Sequence, residues 1–149
     1  MSDEEVRELE RRFRASGSVE DEAALWQARL RLGQVEPRGR FLVRLRLFST
    51  EEGGRRGLVY SVYRPNWDIG NKNEGRPTIN GAEVFLVADE PLAPGQVGLA
   101  WLRPLVPDLW SHVQVGQEIA LHEGKPVLGT ATVLVVLPAA EAEPNARGR

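Results

Sequence analysis

Five arginines stand at turns or beside prolines. Arg55 and Arg56 follow Gly53 and Gly54 in EEGGRR, Arg64 lies in YRPNW, Arg76 in GRPT and Arg103 in WLRP. A guanidinium is a planar fork of donors suited to carboxylate and phosphate oxygens. Binding chemistry is therefore open to this set, and the residues needed for catalysis are not arranged for it. Histidine occurs only at 112 and 122, with no HxH or HExxH spacing, so we expect no histidine-based metal site. We read His112 as solvated, His122 as lying near a hairpin turn, and both as having a structural or surface role. Cysteine is absent, which excludes disulfides, thiolate nucleophiles and Cys-based zinc sites. Ser49, Ser61 and Ser111 lack a GxSxG setting and a base. Glu51 and Glu52 precede two glycines and two arginines, and we read them as charge balance in an exposed turn. DIGNKNEG at 68–75 lacks the ligand spacing of a calcium loop. No GxxxxGK[ST] phosphate loop occurs, and no cofactor is expected.

The elements that must hold these residues change character along the chain. The 149 residues carry a formal charge of −2, which does not mark a general nucleic-acid or membrane binder. The charge is uneven: residues 1–37 hold 6 basic and 9 acidic side chains, and residues 38–138 hold 11 and 10. Arginine outnumbers lysine 17 to 2, which we read as codon bias in preference to arginine-mediated recognition. The apolar runs are too short to span a bilayer, and MSDEEVRELE is too acidic for a secretory signal. The expectation is a soluble cytoplasmic protein without a membrane partner.

Residues 2–33 predict a helical hairpin. Ser2 with Glu5 forms a capping box, Val6, Leu9 and Phe13 recur at helical spacing, and Gly17 ends the helix. Ser18 with Asp21 opens a second helix, in which Leu25, Trp26 and Leu30 make an apolar stripe. Gly33 is its expected cap, and Trp26 is expected in a core. GQVEPRGR at 33–40 reads as a linker. From Phe41 to Phe48 the period becomes two, the mark of a half-buried strand. Further strands are expected near 57–64, 66–70, 82–88, 96–103, 117–122 and 126–137. Trp67 and Trp101 fall inside these strands and are expected in packing, whereas Trp110 in PDLWSH is expected to be exposed as a protein-contact anchor. The expected division is a hairpin and linker at 1–37, a barrel at 38–138 and a disordered tail at 139–149.

EEGGRR, YRPNW, LAPGQ at 92–96, WLRP and VGQEIALHEGKPVLGTATVLVVL at 115–137 together resemble the third domain of elongation factor Tu. There an EGGR turn precedes a YRPQF strand, a proline-glycine turn leads to a strand ending near Lys-Pro, and the last hairpin reads REGGRTVGAGVV. The resemblance spans roughly residues 41–137 and implies an all-β fold: a closed antiparallel six-stranded barrel, here without the GTPase domain. It also implies contacts to the backbone of structured, tRNA-like RNA at Arg55, Arg56, Asn66, Arg103 and Gly124. The family has His, Gln and Lys where this chain has Arg56, Asn66 and Arg103, and each exchange keeps a donor. Such donors suit phosphates and 2′-hydroxyls of an A-form helix. DIGNKNEGRPTING at 68–81 departs from the family's Arg-Thr-Thr-Asp stretch, so the contact expected there does not transfer.

Two functions follow as expectations: a non-enzymatic, translation-linked RNA-binding module, or a protein-interaction module using the barrel surface or the hairpin. The first requires Arg55, Arg56 and Arg103 to share an exposed face. Neither requires a nucleotide. Titration with a fluorescent guanine nucleotide should therefore show no saturable, magnesium-dependent binding; saturation would place the chain among the nucleotide switches.

Overall fold

The structure, a computed structural model, describes residues 2–88 and 90–138. The tail expected at 139–149 lies outside the described residues. Helix α1 spans Asp3–Ser16 and α2 spans Val19–Arg31. The Ser2 and Ser18 hydroxyls accept from the N–H groups of Glu5 and Asp21, so both serine caps fall where the sequence puts them. Gly17 closes α1 at φ +63°. Gly33, at φ +67°, donates to Leu30, and Gln34 donates to Arg29, the paired bonds of a left-handed cap beyond α2. Val6, Leu25 and Ala28 are buried between the helices, with Leu9, Phe13 and Leu32 packed around them. Trp26 is only half-buried and is not part of this cluster, contrary to its expected place in a core. Adjacent Leu25 and Ala28 take the inward stripe, and a helix one residue further on has turned by about 100°.

The strands are β1 (Phe41–Leu47), β2 (Asn66–Asp68), β3 (Lys72–Asn73), β4 (Arg76–Pro77), β5 (Asn80–Leu86), β6 (Val97–Pro104), β7 (Glu118–His122) and β8 (Val127–Val136). Six of them close an antiparallel barrel in the order β1-β6-β5-β2-β7-β8. The expected closed six-stranded barrel is thus present, preceded by two helices. β1 pairs on both edges, Leu45 facing Gly98 of β6 and Ala131 of β8. Its alternation sets the inside: Phe41, Val43, Leu45 and Leu47 are buried in one core with Trp67, Ile69, Val84, Leu102, Ile119 and Leu121. The DIGNKNEG segment leads into a ribbon, β3–β4, whose turn places Glu74 and Gly75 at φ +51° and +79°. Two successive positive φ values define the tight turn favoured in hairpins.

Leu42, Leu99 and Trp101 point away from that core yet are buried. α2 packs on β6, Glu20 pairs with Arg44 at 3.3 Å, and Phe13 and Val19 line a cleft with Leu99. The hairpin therefore docks on the outer face of β1 and β6. Burying such side chains contributes roughly 1.5–3 kcal/mol each for the aliphatic pair. Trp110 is also fully buried, with its ring 5.5 Å from that of Phe41. This corrects its expected exposure. A 3-10 turn at Pro107–Trp110 carries the indole onto the end of the barrel, a tertiary placement that its polar neighbours do not betray.

Residues 57–64 do not form the expected strand. Among residues 58–62 only Val59 is buried, so the segment does not keep the alternation of a half-buried strand. Only two isolated bridges form, Val59 with Leu92 and Tyr63 with Val84. The Ser61 hydroxyl, rather than a backbone carbonyl, accepts from the Leu86 N–H. Val62 donates to Val84, and Val84 donates back to Tyr63, so two residues oppose one in a bulge. Val62 sits at φ +72°, where glycine is usual and a β-branched residue is strained. Leaving the right-handed region costs about 1–2 kcal/mol, offset in part by glycine's extra unfolded freedom. Val62→Gly should therefore raise stability by about 0.5–1 kcal/mol, read as a higher urea midpoint. A lower midpoint would mean that the half-exposed valine contributes packing larger than the backbone strain.

Candidate functional site

The positions implied by the resemblance lie along one band of the barrel exterior. Side chains on β6, β5, β2 and β7 alternate between core and outside. Trp67 and Val84 point in, so Asn66 and Glu83 point out. Glu83 stands opposite Arg103 on β6. Arg64 reaches the same glutamate from the segment leading into β2. Asn66 follows two residues later and faces His122 of β7. Glu123 and Gly124 come next, at the turn into β8, and Glu123 holds Arg55. Three separate stretches of chain thus bring Arg103, Asn66, Arg55 and Gly124 into a continuous band.

Two of the three expected arginines are already engaged within it. Arg103 donates from Nε and Nη2 to Glu83 Oε1 at 3.0 and 2.5 Å, and its guanidinium lies 5.4 Å from the centre of the Phe85 ring. Arg64 donates from Nε to Glu83 Oε2 at 3.2 Å. Glu83 is 3% exposed, while the Arg64 side chain is 62% exposed and that of Arg103 35%. Burial on its own would raise the Glu83 carboxyl, but the hydrogen bonds and charges of Arg103 and Arg64 together outweigh it. The group is held below the usual carboxylate range.

Arg55 donates to Glu123 at 2.7 Å and stacks 4.8 Å from the Tyr63 ring centre. The Tyr63 hydroxyl donates to the same Glu123 carboxylate. Burial, and then this hydrogen bond, push the Tyr63 phenol above the usual tyrosine range. The partners are not those the sequence suggests. Glu52 takes Arg46 at 2.9 Å and accepts from the Ser49 N–H, folding over its own turn. Arg56 is exposed and has no ion pair among the described residues. Because Arg55 and Arg103 each hold a carboxylate, their removal is not neutral for folding, as a free surface arginine's would be.

The backbone of the band is also specified. Gly53 takes φ +89°, and a Cβ on Gly54 would lie 2.2 Å from the Phe48 carbonyl oxygen, so both glycines of the EGG turn are sterically required. Gly124 takes φ +69°, and a Cβ there would meet nothing nearer than Pro126 Cδ at 4.0 Å. Its backbone is open to approach. His122 Nδ1–H donates to the Lys125 carbonyl at 3.1 Å, and His112 contacts the Ile69 carbonyl at 2.8 Å through Nε2. His112 is exposed, yet this bond ties it to the barrel more firmly than a solvated reading allows.

Among the described residues, no group of His, Cys, Asp or Glu is gathered to hold a metal, and no helix is long and apolar enough to cross a membrane. No protein-family model matches the chain, and no curated protein matches it. Glu83 is the residue that sequence reasoning leaves out of the band; Arg64 belongs to its basic set but not to the positions that the resemblance implies. The parity of AEVFL gives an outward glutamate, but no sign that two guanidiniums would bury it.

Glu83→Gln should cost about 1–3 kcal/mol at neutral pH, the range for hydrogen bonds to a charged group. A depressed folded-state pKa adds stability that is complete above the unfolded value of about 4.3 and disappears as pH falls through the folded value. The gap in thermal midpoint between parent and variant should hence be open at pH 7 and closed once pH drops below Glu83's lowered pKa. A gap that stays constant down to about pH 2 would show that Glu83 gives no charge-dependent stabilisation.

Proposed function

We propose that this chain is a non-enzymatic module that binds the backbone of structured, tRNA-like RNA along the β6–β5–β2–β7 exterior. The observation that supports it is the continuity of the band. Residues 55, 66, 103 and 124, distant in sequence and named by the resemblance to the third domain of elongation factor Tu, fall along one surface. That surface also carries Arg64, and Lys125 follows Gly124 in the β7–β8 turn. Fixed guanidiniums and an open glycine backbone suit contacts to phosphate and 2′-hydroxyl groups, which read the shape of an A-form helix. The reading includes no reaction step and no nucleotide.

A second reading has its own support. Ile79, Leu105, Val106 and Leu109 are each 44–53% exposed, and Leu105 lies over Gly81 at the flank of the same band. Exposed aliphatic residues gathered in this way favour a protein contact. The hairpin is a weaker candidate for that role, since its apolar stripe is used within the chain.

Fluorescence anisotropy with a labelled RNA stem-loop, across a several-fold range of salt, separates the two. Saturable binding that weakens with salt is expected of the parent. The combined Arg55→Ala, Arg56→Ala and Arg103→Ala variant, with its thermal midpoint checked, should bind more weakly. Its logarithmic salt slope should be shallower by roughly 0.7–0.9 for each phosphate that an arginine no longer neutralises. A folded triple variant that matches the parent would leave the protein-interaction reading.

A further inference from the structure

Glu83 is an unusual residue for the outside of a barrel: a carboxylate 3% exposed, with both oxygens occupied by arginines. Two cations share one anion, so the group keeps one uncompensated positive charge. The donors that remain are not random. Arg103 commits Nε and Nη2 to the carboxylate, which leaves Nη1 without a partner among the described residues. Arg64 commits only Nε, which leaves both Nη groups free. A guanidinium is rigid and planar, so with the Nε–Nη2 edge of Arg103 tied to Glu83 its Nη1 is directed away from the carboxylate, and at least one Nη of Arg64 is as well. Phe85 fixes the plane of Arg103 further. The two guanidiniums flank Glu83 from the β2 and β6 sides, one on each carboxylate oxygen.

We infer that Arg64 and Arg103 form a two-guanidinium site for one backbone phosphate of RNA, with Glu83 as its positioning residue. The RNA identity of the ligand rests on the function proposed above; the phosphate chemistry rests on the two arginines alone. Arg64 is not among the positions that the resemblance implies. Its exposed fork makes it the principal contact, and Arg103 the fixed second one. Preorganisation is the role of Glu83: side chains already ordered lose less freedom when the phosphate arrives.

Two measurements on the full chain test this independently. The first is RNA anisotropy against salt with Arg64→Ala, using Arg76→Ala, an exposed arginine on the separate β3–β4 ribbon, as control. Arg64→Ala should weaken binding by roughly five- to tenfold and flatten the logarithmic salt slope by about 0.7–0.9. Arg76→Ala should change neither. Equal behaviour of the two variants would overturn the clamp and leave the RNA reading standing. Absence of RNA binding by the parent would sink that reading instead.

The second measurement holds in either case: titration of inorganic phosphate into the isotopically labelled protein, following the arginine Nε–H resonances. Arg64 and Arg103 should shift together and saturate. Failure of both to shift would overturn the site. Glu83→Gln then decides the role of the carboxylate. Removing a negative charge should by itself tighten phosphate binding, whereas loss of positioning should weaken it and uncouple the two resonances. Weaker, uncoupled binding is expected; tighter binding would refute positioning.

Discussion

The architecture depends on β1, which is paired on both edges, apolar on its inner face, and carries one buried apolar residue on its outer face beside Arg44 and Arg46. Phe41, Val43, Leu45 and Leu47 fill the inside, while Leu42 is buried on the outside. A strand with one wet face would permit closure but would leave nothing to hold the helices. Through Leu42, β1 joins its neighbour β6, with Leu99 and Trp101, in offering an apolar patch to the hairpin, and the hairpin has an apolar stripe of its own to cover. Two short helices are marginal in isolation, so docking stabilises them as much as they cover the barrel. The outer wall is thereby divided. One half, at β1 and β6, is covered by helices. The other runs from Arg103 at the end of β6 through β5 and β2 to the β7–β8 turn, and it stays open for polar side chains.

This division is partly legible in the sequence. Local signals are reliable where local energetics decide: serine caps, glycine stops and the period of two in Phe41–Leu47 all have causes within a few residues. The segment 57–64 marks where such signals stop. Its β-branched and aromatic residues suit a strand, but such composition does not show whether a ladder forms. A bulge at Val62 and a serine side chain in place of a backbone acceptor interrupt the ladder. Trp110 defeats a sequence reading for a related reason. Its polar neighbours describe the turn that carries it, whereas its burial comes from Phe41, far earlier in the chain. Neither fact is a property of any short window.

The candidate site is legible as a set of residue types and positions, but not as a network. Placing Arg55 and Arg103 on one surface needs only the strand order that the resemblance implies. Knowing which anions they hold needs side-chain geometry, and the sequence points to Glu51 and Glu52 when the partners are Glu123 and Glu83. Nearness in the chain is a poor guide for arginine, whose reach spans neighbouring strands. The difference in partners changes the chemistry. A guanidinium bonded to an exposed glutamate in a flexible turn would be free to leave it. Arg103, bonded to a buried glutamate on a strand, is held in a fixed direction, whereas Glu123, the partner of Arg55, is exposed at the turn into β8.

Stability alone does not call for a carboxylate at 83. Desolvating Glu83 is unfavourable, and the pairs with Arg103 and Arg64 outweigh that burial. An apolar residue packed beside Phe85 and Trp101 would cover the same surface without that opposition, and replacing buried ion pairs by apolar groups is often neutral or stabilising. What the apolar alternative cannot do is aim two guanidiniums. Lysine could not take the place of either arginine, because its ammonium is a single point of charge on a flexible stem, with no second edge to present once the first is bonded. A buried anion flanked by two arginines, each with donors left over, fixes the direction of both cations, which an apolar residue of equal stabilising effect would not. The physical consequence of Glu83 therefore lies in the direction and spacing of the cations it holds, which is a property that only a third charged group, arriving from solvent, would sense.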